Sequence, residues 1–269
     1  NQNIEKDIVV CLTARIIQTR LASSRIKTGR QHKPMSDQVI LLSLPQLAIA
    51  LVPVVITLFI LWRWAMAPGN ALYALGRMLL QLLLIGYVLA WIFGATSGVL
   101  VLLVLAVMLV ASSWIALRTV PEHRISLLLA SLVGVTLGGG FTLALVTQGV
   151  LQLDPWYMPR YMIPLAGMVF ANAMTAVSLA AERLFAELGH GDSWEEARKM
   201  AFQAAMIPVV NSLFAVGLVS LPGMMTGQIL SGVSPLVAAR YQIMVMCMIF
   251  ASAGISTAIF LTLARRRVM

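Results

Sequence analysis

From residue 41 onward the chain alternates long apolar runs with short polar joints. The runs occupy about residues 41–62, 78–96, 98–117, 125–151, 161–181, 204–221 and 241–264. A helix needs about 20 apolar residues to cross the hydrocarbon core of a bilayer, and these runs approach or exceed that length. None shows the two-residue alternation of a barrel strand. The pattern predicts an all-α, polytopic membrane protein with seven transmembrane helices. The joints give a direction. With the first run starting outside, the inner joints and C-terminus carry Arg63, Arg77, Arg118, Arg124, Arg183, Arg198, Lys199 and Arg265–Arg267, whereas the outer joints carry only Arg160 and Arg240. Basic residues accumulate on the cytoplasmic side, so the expected orientation is N-out and C-in.

Residues 1–34 do not fit that scheme. They hold Lys6, Arg15, Arg20, Arg25, Lys27, Arg30 and Lys33, all of which would face outside. The spacing of Leu12, Ile16, Ile17 and Leu21 permits a short amphipathic helix at a membrane surface. The orientation rule instead makes residues 1–34 a basic extension not expected to belong to the native chain, ahead of a transmembrane domain over 35–269 that begins at Met35. Composition supports the membrane assignment: 60% of residues are hydrophobic and 11% charged, with a mean hydropathy of +0.90, against about 25% charged in soluble domains. The formal net charge of +9 reports orientation rather than a nucleic-acid partner. Cys11, in a polar stretch, and Cys247, inside an apolar run, are not expected to pair.

Polar residues within spans mark either a path or an interhelical contact. On the fifth run, Met168, Asn172, Thr175, Leu179 and Glu182 recur at four, three, four and three residues, which places them on one helix face. Glu182 would sit at its cytoplasmic end, where it could attract a cation. Asn211 and Ser212 follow Pro208 where the sixth run enters the membrane. That run ends in "LPGMMTGQILSG", Leu221–Gly232. The Pro222-Gly223 pair is expected to stop the helix, and unpaired backbone cannot face lipid, so the motif should be buried in protein or line a cavity. Thr226 and Gln228 are then expected to satisfy freed backbone groups. Met224 and Met225 are open to two roles, substrate contact or flexible packing. Met244, Cys247 and Met248 share one face of the last run, as a soft-metal site would require. Gly134 and Gly138, at GxxxG spacing, predict close helix packing.

Between the fifth and sixth runs lies a charged insert, about residues 182–203, which reads as helix, turn, helix. Ser193 and Glu196 have capping-box spacing at the restart. Trp194, Met200 and Phe202 could pack it down, leaving Glu195, Glu196, Arg198 and Lys199 for solvent or a docking groove. This insert, followed by "IPVVNSLFAVGLVSLPGMMTGQILSGVSPLVAARYQIMVM", resembles the FetB-type permeases of ATP-binding-cassette transporters, whose plant relatives are aluminium-tolerance half transporters. "GLVSLPGMMTGQILSG" is the most specific part, and "IPLAGMVFANAM" and "RYQIMVM" extend the resemblance over Met35–Arg267.

The resemblance implies a permease that works with a separate ATPase, with metal export, chiefly of iron, as its activity. It also implies a coupling loop with "EAxLALGA" at its centre, where this chain has "LFAELGHG". Glu187, Leu188, Gly189, Ser193, Trp194, Glu196 and Arg198 are the coupling residues so suggested. Asn172, Thr175, Glu182, Asn211, Met224, Met225, Thr226 and Gln228 are the candidates for the translocation path. No Walker A loop and no Gly-Lys pair occurs, so ATP and magnesium are expected on the partner subunit, with no cofactor bound by this chain. A homodimeric permease in the bacterial inner membrane is the expected assembly. The alternative is a membrane sensor or assembly protein whose insert docks a signalling partner. An embedded enzyme is disfavoured, since no HExxH motif or catalytic carboxylate pair lies at membrane depth.

Overall fold

The structure is a computed structural model that describes residues 43–64, 68–93 and 97–268. Residues 1–34 and the expected start at Met35 lie outside the described residues. Among those described there is no β-strand, only one isolated bridge between Val216 and Ser220. The helices are α1 (Leu44–Ala50), α2 (Val52–Arg63), α3 (Pro68–Phe93), α4 (Gly98–Ala116), α5 (Arg124–Gly134), α6 (Phe141–Ala144), α7 (Pro159–His190), α8 (Trp194–Ala215), α9 (Gly223–Leu230) and α10 (Pro235–Val268). Two π-helical turns, Val135–Gly140 and Leu145–Val150, join α5 to α6 and extend α6, so that α5 and its continuation run as one rod. Six segments among the described residues are long and apolar enough to cross a membrane: 45–63, 69–88, 98–119, 121–150, 159–190 and 235–267. The sixth expected run, 204–221, is not one of them. Its first part is the apolar half of α8, which starts in the charged insert, and its last part is not helical.

The core gathers around α7. Its buried positions include Met162, Ala166, Val169, Ala173, Ala176, Ala180 and Leu184, spaced by three or four residues, so one face is sealed along most of its length. Against it lie α4, α8 and α10. On α8 the sealed face is Trp194, Ala197, Ala201, Ala205 and Val209, mostly small side chains that let two backbones approach. By contrast α2 has no buried residue, and Leu79, Leu82, Leu83 and Tyr87 of α3 stand exposed. These are faces for lipid or another apolar surface.

Glycine contacts fix the helix directions. A Cβ on Gly134 would lie 2.8 Å from the Ser256 carbonyl oxygen, and one on Gly138 would lie 2.8 Å from Ser256 Cα. The expected close packing at this GxxxG pair is therefore present, with α10 as the partner. A Cβ on Gly139 would instead meet Val169 and Phe170 of α7 at 3.1 Å. Since Gly134 also faces Phe260, α5 and α10 run antiparallel. The α4–α5 turn lies beside α7, where the Thr119 hydroxyl donates to the Ser178 carbonyl at 3.3 Å. The α4–α5 turn, the α7–α8 turn and Arg265–Arg267 consequently gather at one end. At that end Arg124 donates to the Trp114 carbonyl at 2.8 Å and stacks over the Trp114 ring at 3.7 Å, which ties α4 to α5.

Candidate functional site

The geometry of the motif corrects one expectation. Helix α8 stops at Ala215, a full turn and more before Pro222-Gly223. The stop is made by Gly217, whose φ of +84° suits glycine. The backbone N–H groups of Leu218, Val219 and Ser220 fold back onto the Ala215 carbonyl, and that of Gly217 reaches the Ser220 carbonyl at 2.9 Å. Pro222 then begins the next helix. It is the extended N-cap residue of α9, and Gly223 is the first helical residue. A proline fits there because it has no N–H to leave unpaired at a helix start. The Thr226 hydroxyl donates to the Pro222 carbonyl at 3.2 Å, an oxygen that the Thr226 N–H already meets at 3.0 Å, so no freed backbone group depends on it. The Gln228 Oε1 is buried without a partner. Gly232, with φ +89°, ends α9 before α10 starts at Pro235.

Behind this break lies a cavity of about 300 Å³ between α7, α8, α9 and α10. Its walls carry Met168 and Asn172 of α7, Ser212 of α8, Met224 of α9, and Gln242 and Met246 of α10. A smaller space of about 60 Å³ adjoins it, sharing Asn172 and Ser212 and adding Thr175 and Pro208. The polar groups lean on their own helices: Asn172 donates to the Met168 carbonyl at 2.8 Å, Thr175 to Ala171 at 2.9 Å, and Ser212 to Pro208 at 2.9 Å. A hydroxyl that has given its one proton to the backbone offers only lone pairs to a ligand. Gln242 is 5% exposed, and its Oε1 has no partner. The lining is thus polar in part and free of charge.

Of the expected path residues, Asn172, Thr175 and Met224 come together here. Met225, Thr226 and Gln228 are partly buried on α9 outside the cavity wall, Asn211 is exposed beside Ser212, and Glu182 is exposed ten residues beyond Asn172 on α7. The soft-metal face on the last run does not assemble: Met248 is buried in the core, whereas Cys247 is exposed. Gln242 was open to detection as an amide inside an apolar run. Met246 carried no such signal, because nothing in a methionine distinguishes lining from packing.

The insert is built as its spacing predicts. Gly191, with φ +94°, ends α7, its N–H reaching the Leu188 carbonyl at 3.1 Å while that of Asp192 reaches Glu187 at 3.3 Å, a Schellman closure. The capping box at α8 is complete: Glu196 N–H donates to Ser193 Oγ at 3.4 Å and Ser193 N–H to Glu196 Oε2 at 3.3 Å. Glu187 and Trp194 are both buried, Glu187 in an ion pair with Arg183, so they hold the turn from within. Ser193, Glu196 and Arg198 remain exposed. Leu188 and Gly189 line a groove of about 610 Å³ together with Phe185 and the α4–α5 turn, Thr119–His123. His123 stacks flat on Phe185, ring centres 4.2 Å apart. The contribution of the α4–α5 turn was not visible in the sequence, because Thr119–His123 lie far upstream of Phe185, Leu188 and Gly189.

The family described as Uncharacterised protein family (UPF0014) matches residues 44–269. The chain belongs to this family. Among its relatives, the UPF0014 membrane protein slr1647 of Synechocystis is 38% identical over 216 residues, covering 73% of this chain and 82% of the relative. The probable iron export permease protein FetB of Escherichia coli is 35% identical over 238 residues, or 82% and 90% of the two chains. The Arabidopsis thaliana protein ALUMINUM SENSITIVE 3 is 32% identical over 207 residues, or 70% and 73%. The resemblance to FetB-type proteins drawn from the motifs holds, as does the assignment to polytopic helical membrane proteins. No solved structure matches the chain.

Proposed function

We propose that this protein is the membrane-spanning permease subunit of an ATP-driven exporter, energised by a separate cassette ATPase and moving metal ions. The observation that carries this reading is the cavity at Asn172, Ser212 and Gln242, two of whose walls continue as helices to the charged insert, α7 unbroken from Asn172 and α8 by way of Pro208. A site at membrane depth is thereby joined mechanically to a surface outside it. Iron as the cargo rests on the name of the Escherichia coli relative. The groove at Leu188 and Gly189 would receive the ATPase, with Glu196 and Arg198 on the flanking exposed face. In this reading α8, the break at Gly217 and α9 together make one discontinuous crossing, the seventh beside the six continuous ones. Broken helices around a midplane site are a recurrent device of transporters. The basic end faces the cytoplasm, giving N-out and C-in in a bacterial inner membrane, and the apolar faces of α2 and α3 accommodate lipid and the second copy of a homodimer.

The test is reconstitution. Vesicles holding the permease and its ATPase should show nucleotide-dependent metal flux. Single cysteines at positions 224–228, in a background lacking Cys11 and Cys247, should react from outside with an impermeant thiol reagent at rates that change with nucleotide. Flux that ignores ATP, together with uniform inertness of those cysteines, would overturn the proposal.

A further inference from the structure

Ala106 of α4 and Gly140 and Ala144 of the α5–α6 rod are small, and between these two elements lies a second cavity, of about 390 Å³. Its floor is Met162 and Phe170 of α7, both buried and eight residues apart, about 12 Å along the helix axis. The space is therefore a slot running parallel to the helices, within segments long and apolar enough to cross a membrane. Its two ends differ. Phe170 packs beside Gly139, so one end lies at Gly140 and Leu109 and is wholly apolar. The other end, nearer the start of α7, carries Gln148 and Trp156, and the Gln148 amide donates to the Trp156 carbonyl at 3.3 Å. Trp156 and Tyr157 meet there edge to face, ring centres 5.6 Å apart. Aromatic pairs of this kind sit at the level of lipid headgroups.

Ala106 and Ala144 are exposed at the rim, and the side chains flanking them, Leu103, Val107, Phe141 and Leu145, are exposed and apolar. The slot thus continues a surface that meets hydrocarbon. Nothing on this rim needs a protein partner, in contrast to the exposed Thr175, Asn211 and Ser212 on the α7–α8 side. Water does not suit the apolar length, since a bound water needs two to four polar partners, and an unfilled space would forfeit the dispersion contacts of its walls. The occupant must be long, apolar and polar at one end only.

We propose that this slot binds one acyl chain of a bilayer phospholipid, its methyl end against Leu109 and Phe170 and its ester end level with Gln148 and Trp156. The site is separate from the cavity at Asn172. Met162 and Phe170 face one side of α7, whereas Met168 and Asn172 face another, about 140° round the helix. The inference therefore needs nothing from the transport reading, and either can fail alone.

The experiment places the full chain in nanodiscs of phosphatidylethanolamine that carries a photoactivatable diazirine, either at the methyl end of one acyl chain or beside its carboxyl carbon, and maps the labelled residues by peptide mass spectrometry. The methyl-end probe should label Leu109 and Phe170, and the carboxyl-end probe Met162 and Trp156. Phe170 is 2% exposed, so lipid lying on the outer surface does not reach it. Ala106→Leu with Ala144→Leu, which fill the slot from its rim, should lose the labelling of Phe170 and Met162. Ala74→Leu with Ala111→Leu, exposed positions outside the slot, should keep it. Labelling confined to the exposed faces of α2 and α3, labelling that survives filling of the slot, or the two probes marking the opposite ends would overturn the inference. So would labelling of Phe170 by a diazirine fatty acid where the phospholipid probe leaves it unmarked, which would give the slot to a free fatty acid instead. Should the filled variant not fold, the map of the unaltered protein decides.

Discussion

Gly138→Ala should be among the most damaging single-methyl additions in this protein. The new Cβ would lie 2.8 Å from Ser256 Cα and 2.5 Å from Ser256 N. Carbon atoms rest at about 3.5–4.0 Å, so the deficit is about 1 Å. The obstacle is backbone, which no rotamer change can remove, and α10 would have to move away from the π-helical turn. Overpacking of this kind costs about 1–3 kcal/mol. Gly140, two residues on, is the control, since nothing lies within 4 Å of a Cβ placed there. Gly140→Ala should gain up to about 1 kcal/mol from helix propensity alone, so the two variants should differ by about 2 kcal/mol or more. Unfolding by SDS in mixed micelles, followed by tryptophan fluorescence and far-UV circular dichroism, measures that difference. Ser256→Ala should not rescue Gly138→Ala, because the clash includes backbone atoms that the substitution leaves in place. Equal stability of Gly138→Ala and Gly140→Ala would refute the close contact between these helices.

Three further outcomes follow from the geometry. Gly217→Ala should destabilise by about 1–2 kcal/mol, the cost of a left-handed backbone for a residue with a Cβ, whereas Gly223→Ala, in open space at a helix start, should be near neutral in thermal unfolding. Ser193→Ala should cost about 1 kcal/mol at the α8 cap, seen as faster amide exchange at Trp194–Glu196 with the transmembrane signal unchanged. Arg183→Met removes the closer basic partner of the buried Glu187 carboxylate, leaving only the His190 Nδ1 at 3.9 Å, and should cost about 1–3 kcal/mol, read as a lower melting temperature and earlier proteolysis near Gly191.

The apolar runs were legible because a span must satisfy all its backbone internally, which imposes length and composition together. The helix in the run at 204–221 ends earlier than expected, at Ala215, for a related reason. Its hydropathy matches that of a span, but Gly217 and the fold-back onto Ala215 depend on backbone angles that no apolar pattern encodes. Proline and glycine at 222–223 were the conspicuous breakers, yet proline at a helix start is a beginning rather than an end. The Ser193–Glu196 box was legible because its chemistry is local. The cavity was only half legible: the α7 stripe announced Asn172 and Thr175, but the partners Gln242 and Met246 come from a helix about 70 residues later, and periodicity within one helix says nothing about which other helix it faces.

The length of α7 has a mechanical consequence. Its 32 residues make a rod of about 48 Å, against a hydrocarbon core of about 30 Å. From Asn172 to Leu188 is about 24 Å of uninterrupted hydrogen-bonded helix, so a tilt of about 5° would displace one end by about 2 Å relative to the other. Such a rod behaves as a lever, and α8, packed along it, stiffens it. Its gain is set by residue count alone. A force applied at the groove would reach the cavity as a change of angle, with no relay of side chains in between, and Ser178→Gly with Glu182→Gly, which soften the rod without changing its register, should blunt that stroke.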